Sequence, residues 1–318
     1  MTLCHVPNVP IVSRPRRLLT ALLALAATFA LAGGCGDGEK TDTTAAPASS
    51  AGRFDADRAF ADLERMVALG PRPSGSAANA KQAQMLAAEL RKAGVENVAI
   101  GKPPLLNVTG EIPGKGQGSI VVGAHHDTED VPGFVGANDG ASGVAVVLEL
   151  ARTLPNPMPG PAVAIALFDG EEARGDRDFD ADGTRGSRLY VEQAARGGDP
   201  KAGIPALDQI DAMVLFDMVG DCDLQLPREF SSDERLYGAF ATAAGGAPFE
   251  GVTGSISDDH VPFLEQGIPS LDLIDFTYGG SQTPGEYWHT TADTTDKVCP
   301  QSLDAVGEAA LEAIPGLG

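Results

Sequence analysis

Residues 119–128 read SIVVGAHHDT. After Ser119, a run without charged or polar side chains over 120–124, rich in Val and Ile, completes a strand expected over 119–124 and stops at His125, His126 and Asp127. So short a run without polar alternation reads as a strand covered on both faces, the habit of parallel sheets. The pattern recurs twice. AVAIALF (162–168) leads through Asp169-Gly170 into Glu171-Glu172, and AMVLF (212–216) ends in Asp217. Asp139 stands in the Gly-rich turn GANDGASG (136–143), and His289 follows much later in EYWHTTADT (286–294). Charged groups at the carboxyl ends of parallel strands converge on one crevice, the usual ligand site of an open α/β sheet. Carboxylate oxygens and imidazole nitrogens are ligands that catalytic zinc accepts. The expectation is a zinc enzyme.

Outward from these motifs the chain alternates helix and strand. Helices are expected over 55–69, 77–93, 144–154, 187–196, 233–243 and 301–313, and strands over 97–101, 105–112, 119–124, 162–168, 211–217 and 269–274. That order predicts an α/β fold: a three-layer α/β/α sandwich around a mostly parallel mixed sheet. No linker, repeat or composition break interrupts 53–318, which reads as one domain.

Ahead of it, Arg14, Arg16 and Arg17 precede an apolar stretch over 18–32, too short to span a bilayer comfortably. Residues 31–35, LAGGC, resemble a lipobox with Cys35 as the lipidated residue, so 1–35 reads as an export leader; plain cleavage is the alternative. Residues 36–52 lack large apolar side chains and read as a tether. The protein is therefore expected to be exported, either secreted or held at the cell envelope by the lipid alone. A net charge of −21 over 318 residues argues against nucleic-acid partners, which need a basic face. Past the leader only Cys222 and Cys299 remain, and the sequence leaves open whether they form a disulfide or two buried thiols.

Glu171 and Glu172, adjacent at a strand end, point to different sides, so one can bind metal while the other stays free to carry a proton. Asp178-x-Asp180-x-Asp182-Gly183 has the spacing that opens a calcium loop, yet Leu189 stands where a bidentate acid belongs. A solvated acidic loop is expected there, with calcium as the alternative. Asp259 is expected to cap the helix begun by VPFLEQ, and His126 to be a bystander.

GPRPSGS, NVTG, GAHHDT, GANDGASG, FDGEEA, LFDMVG and WHTTADT together resemble the zinc-dependent exopeptidase family that includes bacterial aminopeptidases. For its two-zinc members the resemblance implies metal ligands at His125, Asp139, Glu172, Asp217 and His289. It implies a general base at Glu171, and Asp127 orienting the first histidine from behind. Three features are more similar to the glutaminyl-peptide cyclotransferase branch: the double acid Asp258-Asp259 before His260, Trp288 directly before His289, and a long polar insertion between FDGEEA and Gly186-Ser187-Arg188. That branch implies one zinc on Asp139, Glu172 and His289. Glu171, Asp217 and Asp258 would form an acidic group around the substrate, and Trp288 a pocket wall. His260 would brace the loop. In the insertion only Phe179 could serve as the aromatic wall usual in the branch. The implied activity is conversion of N-terminal glutamine to pyroglutamate with loss of ammonia, acting on peptide or protein N-termini. The alternatives are a two-zinc aminopeptidase, or a lipoprotein that binds peptide termini without catalysis.

Overall fold

A six-stranded mixed sheet forms the middle layer of residues 53–318, the part of the chain that the computed structural model describes. The strands are β1 (Glu96–Ile100), β2 (Val108–Ile112), β3 (Ser119–His125), β4 (Ala162–Phe168), β5 (Ile210–Asp217) and β6 (Ser270–Ile274), in the order β1-β2-β4-β3-β5-β6. β3 runs parallel to both β4 and β5, and β5 parallel to β6. β2 pairs antiparallel with β1 and with β4. The three runs chosen for their lack of alternation are thus the three central strands. The expected leader, its Cys35 and the tether lie outside the described residues.

The sheet's pleat separates two cores. Ile120, Val122 and Ala124 of β3 face a large core with α1 (Ala56–Val67), α2 (Ala77–Lys92), α3 (Ser142–Thr153), α6 (Glu234–Ala244) and α8 (Pro300–Ala313). Val121, between them in sequence, faces a smaller core with α5 (Arg185–Ala195) and the short α7 (Val261–Leu264). This is the expected sandwich of helices around a largely parallel sheet. α1 and α2 start where Asp55 and Ser76 accept the backbone N–H of Arg58 and Asn79, satisfying donors that a helix start leaves free.

One contact sets where α3 begins. A Cβ on Gly143 would lie 2.0 Å from the Phe216 carbonyl oxygen, so the first turn of α3 can press against β5 only with glycine there. Cys222, past the end of β5, is bonded to Cys299 at the start of α8, with Cα atoms 4.8 Å apart, which decides the cysteine pairing left open by the sequence. Among the described residues no helix is long and apolar enough to cross a membrane.

Candidate active site

The parallel strands deliver their charged ends to one edge of the sheet. His125 is the last residue of β3 and Asp217 the last of β5, while Glu171 and Glu172 lie in the turn after β4. Asp139 comes from the turn before α3, where Gly140 has φ +96°, a conformation closed to most other residues. His289 arrives from the segment after β6 and itself sits at φ +52°. A non-glycine residue in that region carries strain that surrounding contacts must hold in place.

These groups meet. His125 Nε2 is 3.1 Å from Asp217 Oδ1 and 3.2 Å from Asp139 Oδ1. The other oxygen, Asp139 Oδ2, is 3.4 Å from His289 Nε2, which is also 3.3 Å from Glu172 Oε2. Asp139 therefore spans two donor sets, one holding His125 and Asp217, the other Glu172 and His289. Asp139 Oδ2, Glu172 Oε1 and His125 Nδ1 are buried and have no hydrogen-bond partner. Buried carboxylate oxygens without partners are costly, and a divalent cation accepting nitrogen and oxygen donors would satisfy them. The donor set fits zinc.

Around this centre the acids differ in state. Burial and the neighbouring Glu172 push the Glu171 carboxyl well above its usual range. Burial, with Asp272 and Asp217 close by, does the same to Asp258. Burial works against a charged His125, but the carboxylates of Asp217, Asp127 and Asp139 outweigh it and raise its pKa. Asp127 lies on the Nδ1 side of His125 at 3.8 Å and accepts the backbone N–H of Glu171 at 3.1 Å. His126 points away from the centre, its ring nitrogens near Asn79, Gln82 and the Leu106 carbonyl, as a bystander would.

His260 is wholly buried, with Nε2 3.1 Å from Ser231 Oγ and Nδ1 3.7 Å from Asp272 Oδ2. The expected capping role of Asp259 fails. His260 occupies the position before α7, and Asp259 instead accepts a 2.5 Å hydrogen bond from Ser187 on α5. Its carboxyl is pushed up to about 7 by burial.

A cavity of about 460 Å³ opens over the centre. Asp139, Glu171, Glu172, Asp217, Asp258 and His289 line its floor, with apolar walls from Trp288, Phe276, Phe179 and Ile256. Trp288 stacks on the His289 ring at 3.9 Å and meets Phe276 edge-on at 5.3 Å. Both aromatic residues singled out in the sequence, Trp288 and Phe179, thus face the cavity. The calcium reading is not supported by the geometry. Asp182 is bonded by Arg174 at 2.5 Å and by Arg177 and Arg185 at 3.0 Å, and residues 179–182 form the short helix α4 (Phe179–Asp182). Its carboxylate is spent on three guanidinium groups, so it is neither a calcium ligand nor part of a purely solvated loop.

Several supporting residues were not legible in the sequence. Asp293 accepts the backbone N–H groups of Asn138 and Asp139, at 2.8 and 3.0 Å, and the Tyr278 hydroxyl at 2.7 Å. Arg72, wholly buried, donates to the carbonyls of Gly70, Val135 and Gly136. Both brace the turn that carries Asp139. Their motifs, WHTTADT and GPRPSG, were visible, but nothing in them told which backbone groups they would hold. Glu129, whose oxygen clusters with Glu172 and His289, was also missed.

The site can be set beside known proteins. The structure of Acidobacteriales bacterium glutaminyl cyclase superposes with a TM-score of 0.73 and 31% identity, over 86% of this chain and 98% of that one. Porphyromonas gingivalis glutaminyl cyclase gives a TM-score of 0.71 at 29% identity, over 82% of this chain and 98% of its own. The glutaminyl-peptide cyclotransferase of Bos taurus is 29% identical over 222 residues, 58% of this chain. That match spans 58% of the bovine protein's length. The family model described as peptidase family M28 matches residues 107–314, from the start of β2 to the end of α8, a stretch that holds every metal-donor candidate at the site. This chain belongs to peptidase family M28.

Proposed function

We propose that the protein is a zinc-dependent glutaminyl-peptide cyclotransferase, which converts N-terminal glutamine to pyroglutamate and releases ammonia. The observation that carries this reading is the cavity itself, which gathers Glu171 and Asp258, both with raised pKa values, beside an indole stacked on His289. Similarity to proteins named glutaminyl cyclase supports it.

Asp139, Glu172 and His289 would hold one metal ion. Bound there, zinc would supply a Lewis acid for the substrate's γ-carbonyl oxygen. The acidic floor receives the α-amino group of the substrate, which reacts as the neutral amine after its ammonium form has lost one proton to solvent. Glu171 takes a proton from the amine as its nitrogen bonds to the γ-carbonyl carbon. It then gives that proton to the departing nitrogen, which leaves as ammonia when the old C–N bond breaks. Intramolecular attack already has a high effective concentration, so the chain's main task is to hold the bent conformer. Asp258 and Asp217 orient the amine, and neighbouring carboxyls seldom ionise together. Trp288 and Phe276 form an apolar wall that disfavours water as the nucleophile. The Cys222–Cys299 disulfide suits the oxidising compartment to which we assign the exported chain.

A second reading, a two-zinc aminopeptidase, is favoured by one observation: Asp139 bridges to a complete second donor set at His125 and Asp217. A paired assay of the purified zinc-loaded protein separates them. A peptide with N-terminal glutamine should lose ammonia by mass while its peptide bonds stay intact. Hydrolysis of aminoacyl anilides without any cyclisation would overturn the proposal.

A further inference from the structure

The cavity rim carries a cation that the reaction does not require. Of the cavity-lining residues, six are carboxylates (Glu129, Asp139, Glu171, Glu172, Asp217 and Asp258) and Arg177 is the single Arg or Lys. Such a floor suits a substrate ammonium and repels a substrate carboxylate. Arg177 changes that at one place. Its Nη1 is bonded to Asp182 at 3.0 Å, and among the described residues no protein group accepts from its Nε or Nη2. The side chain is 59% exposed. The guanidinium is thus tethered at one corner and offers its other edge, the Nε–Nη2 fork that matches a carboxylate in a bidentate pair. Asp182 also draws in Arg174 and Arg185, so one buried acid faces three guanidinium groups and cannot neutralise Arg177. Tethering lowers the ordering cost of a new contact.

Resting on the cyclase reading, we infer that Arg177 is a specificity residue that binds a carboxylate close behind the substrate's N-terminal glutamine. Two sources share that chemistry: an acidic side chain at the second position, and the free C-terminus of a dipeptide.

The test compares Gln-Glu-Ala-amide with Gln-Gln-Ala-amide and Gln-Lys-Ala-amide, and Gln-Gly with Gln-Gly-amide, on the full-length zinc-loaded enzyme. An ion pair at a half-open rim predicts that kcat/KM favours a carboxylate-bearing peptide by about 5-fold, mostly through KM. A preference within the tripeptides assigns the carboxylate to the side chain; a preference confined to the dipeptides assigns it to the terminus. R177Q should erase the preference and R177E should reverse it toward lysine. R174Q removes another partner of Asp182 but does not line the cavity, so it should keep the preference. Equal turnover of all five peptides by the wild-type enzyme, or a preference that survives in R177Q, overturns the inference. Calorimetric binding of the same peptides to the E171Q enzyme reads the same order without turnover. A protein that cyclises nothing would therefore sink the cyclase reading while Arg177 is still judged on binding.

Discussion

Glu171 and Glu172 are neighbours in the chain, and a single residue's step sends their carboxyl groups to different partners. Both line the cavity, but Glu172 reaches His289 at 3.3 Å, whereas Glu171 lies 4.0 Å from His125 Nδ1. If Glu171 carries the proton, Glu171→Gln should abolish turnover while zinc content after dialysis stays near the wild-type value. Joint loss of metal and activity would make Glu171 a ligand. Glu229 offers a test away from the metal. Burial alone would raise its pKa, but His260 and hydrogen bonds from Ser231 and Ile256 bring it down to about 2, from an ordinary 4.5. The folded state therefore binds this proton less tightly than the unfolded chain. The sign follows: Glu229 stabilises the fold above pH 4.5, and that contribution is lost as pH falls from 4.5 toward 2. Glu229→Gln should cost about 1–3 kcal/mol at neutral pH, and its melting temperature should fall less steeply than wild type across that window. Parallel melting curves from pH 2 to 7 check this. Glu229 was invisible in the sequence because REFSS has no periodicity or motif; four hydrogen bonds from its neighbours Ser231 and Ser232 close a local turn on it, and the Ile256 N–H and His260, brought in from a distant segment, complete its surroundings.

Elements were easier to read than the turns between them. β3, β4 and β5 showed themselves because a strand covered on both faces must be apolar throughout, and α1 and α2 because their stripes repeat at helical spacing. Helix starts shifted by a residue or two, as at α5, which begins at Arg185 and not at Ser187. Turns gave less away, since their conformations answer to partners elsewhere in the fold. The turn before α3 is the clearest case, held from one side by Asp293 and from the other by Arg72. Removing the Asp293 carboxylate frees the Asn138 and Asp139 amides and leaves Arg72 as the remaining brace of the turn. Asp293→Ala should weaken zinc retention by about 10- to 100-fold, the range typical of residues that orient a ligand. Competition against a chelator of known affinity measures it. An unchanged affinity would mean that Arg72 alone suffices.

Over the whole molecule, the Cys222–Cys299 bond closes a loop spanning 77 residues, within which lie β6, α7, Asp258 and His289. Closing so long a loop removes entropy from the unfolded chain, worth about 2–4 kcal/mol. The double variant Cys222→Ser, Cys299→Ser should melt correspondingly lower, and reductant should shift the wild-type protein alone. No shift on reduction would show that the thiols are not paired in solution. The sequence alone determined the α/β class and the central strands, and it marked most of the candidate donors, though not Glu129, because burial on both faces and charged strand ends leave marks along one dimension. It also marked Trp288 and the double acid at Asp258-Asp259. Tertiary structure decided what depends on distance between remote segments: that Asp139 bridges two donor sets, that Asp182 serves three arginines and not a calcium ion, and that Arg177 stands at the cavity rim. Linear order cannot encode such meetings. They arise only when the sheet brings its strand ends to one edge and the loops above it close.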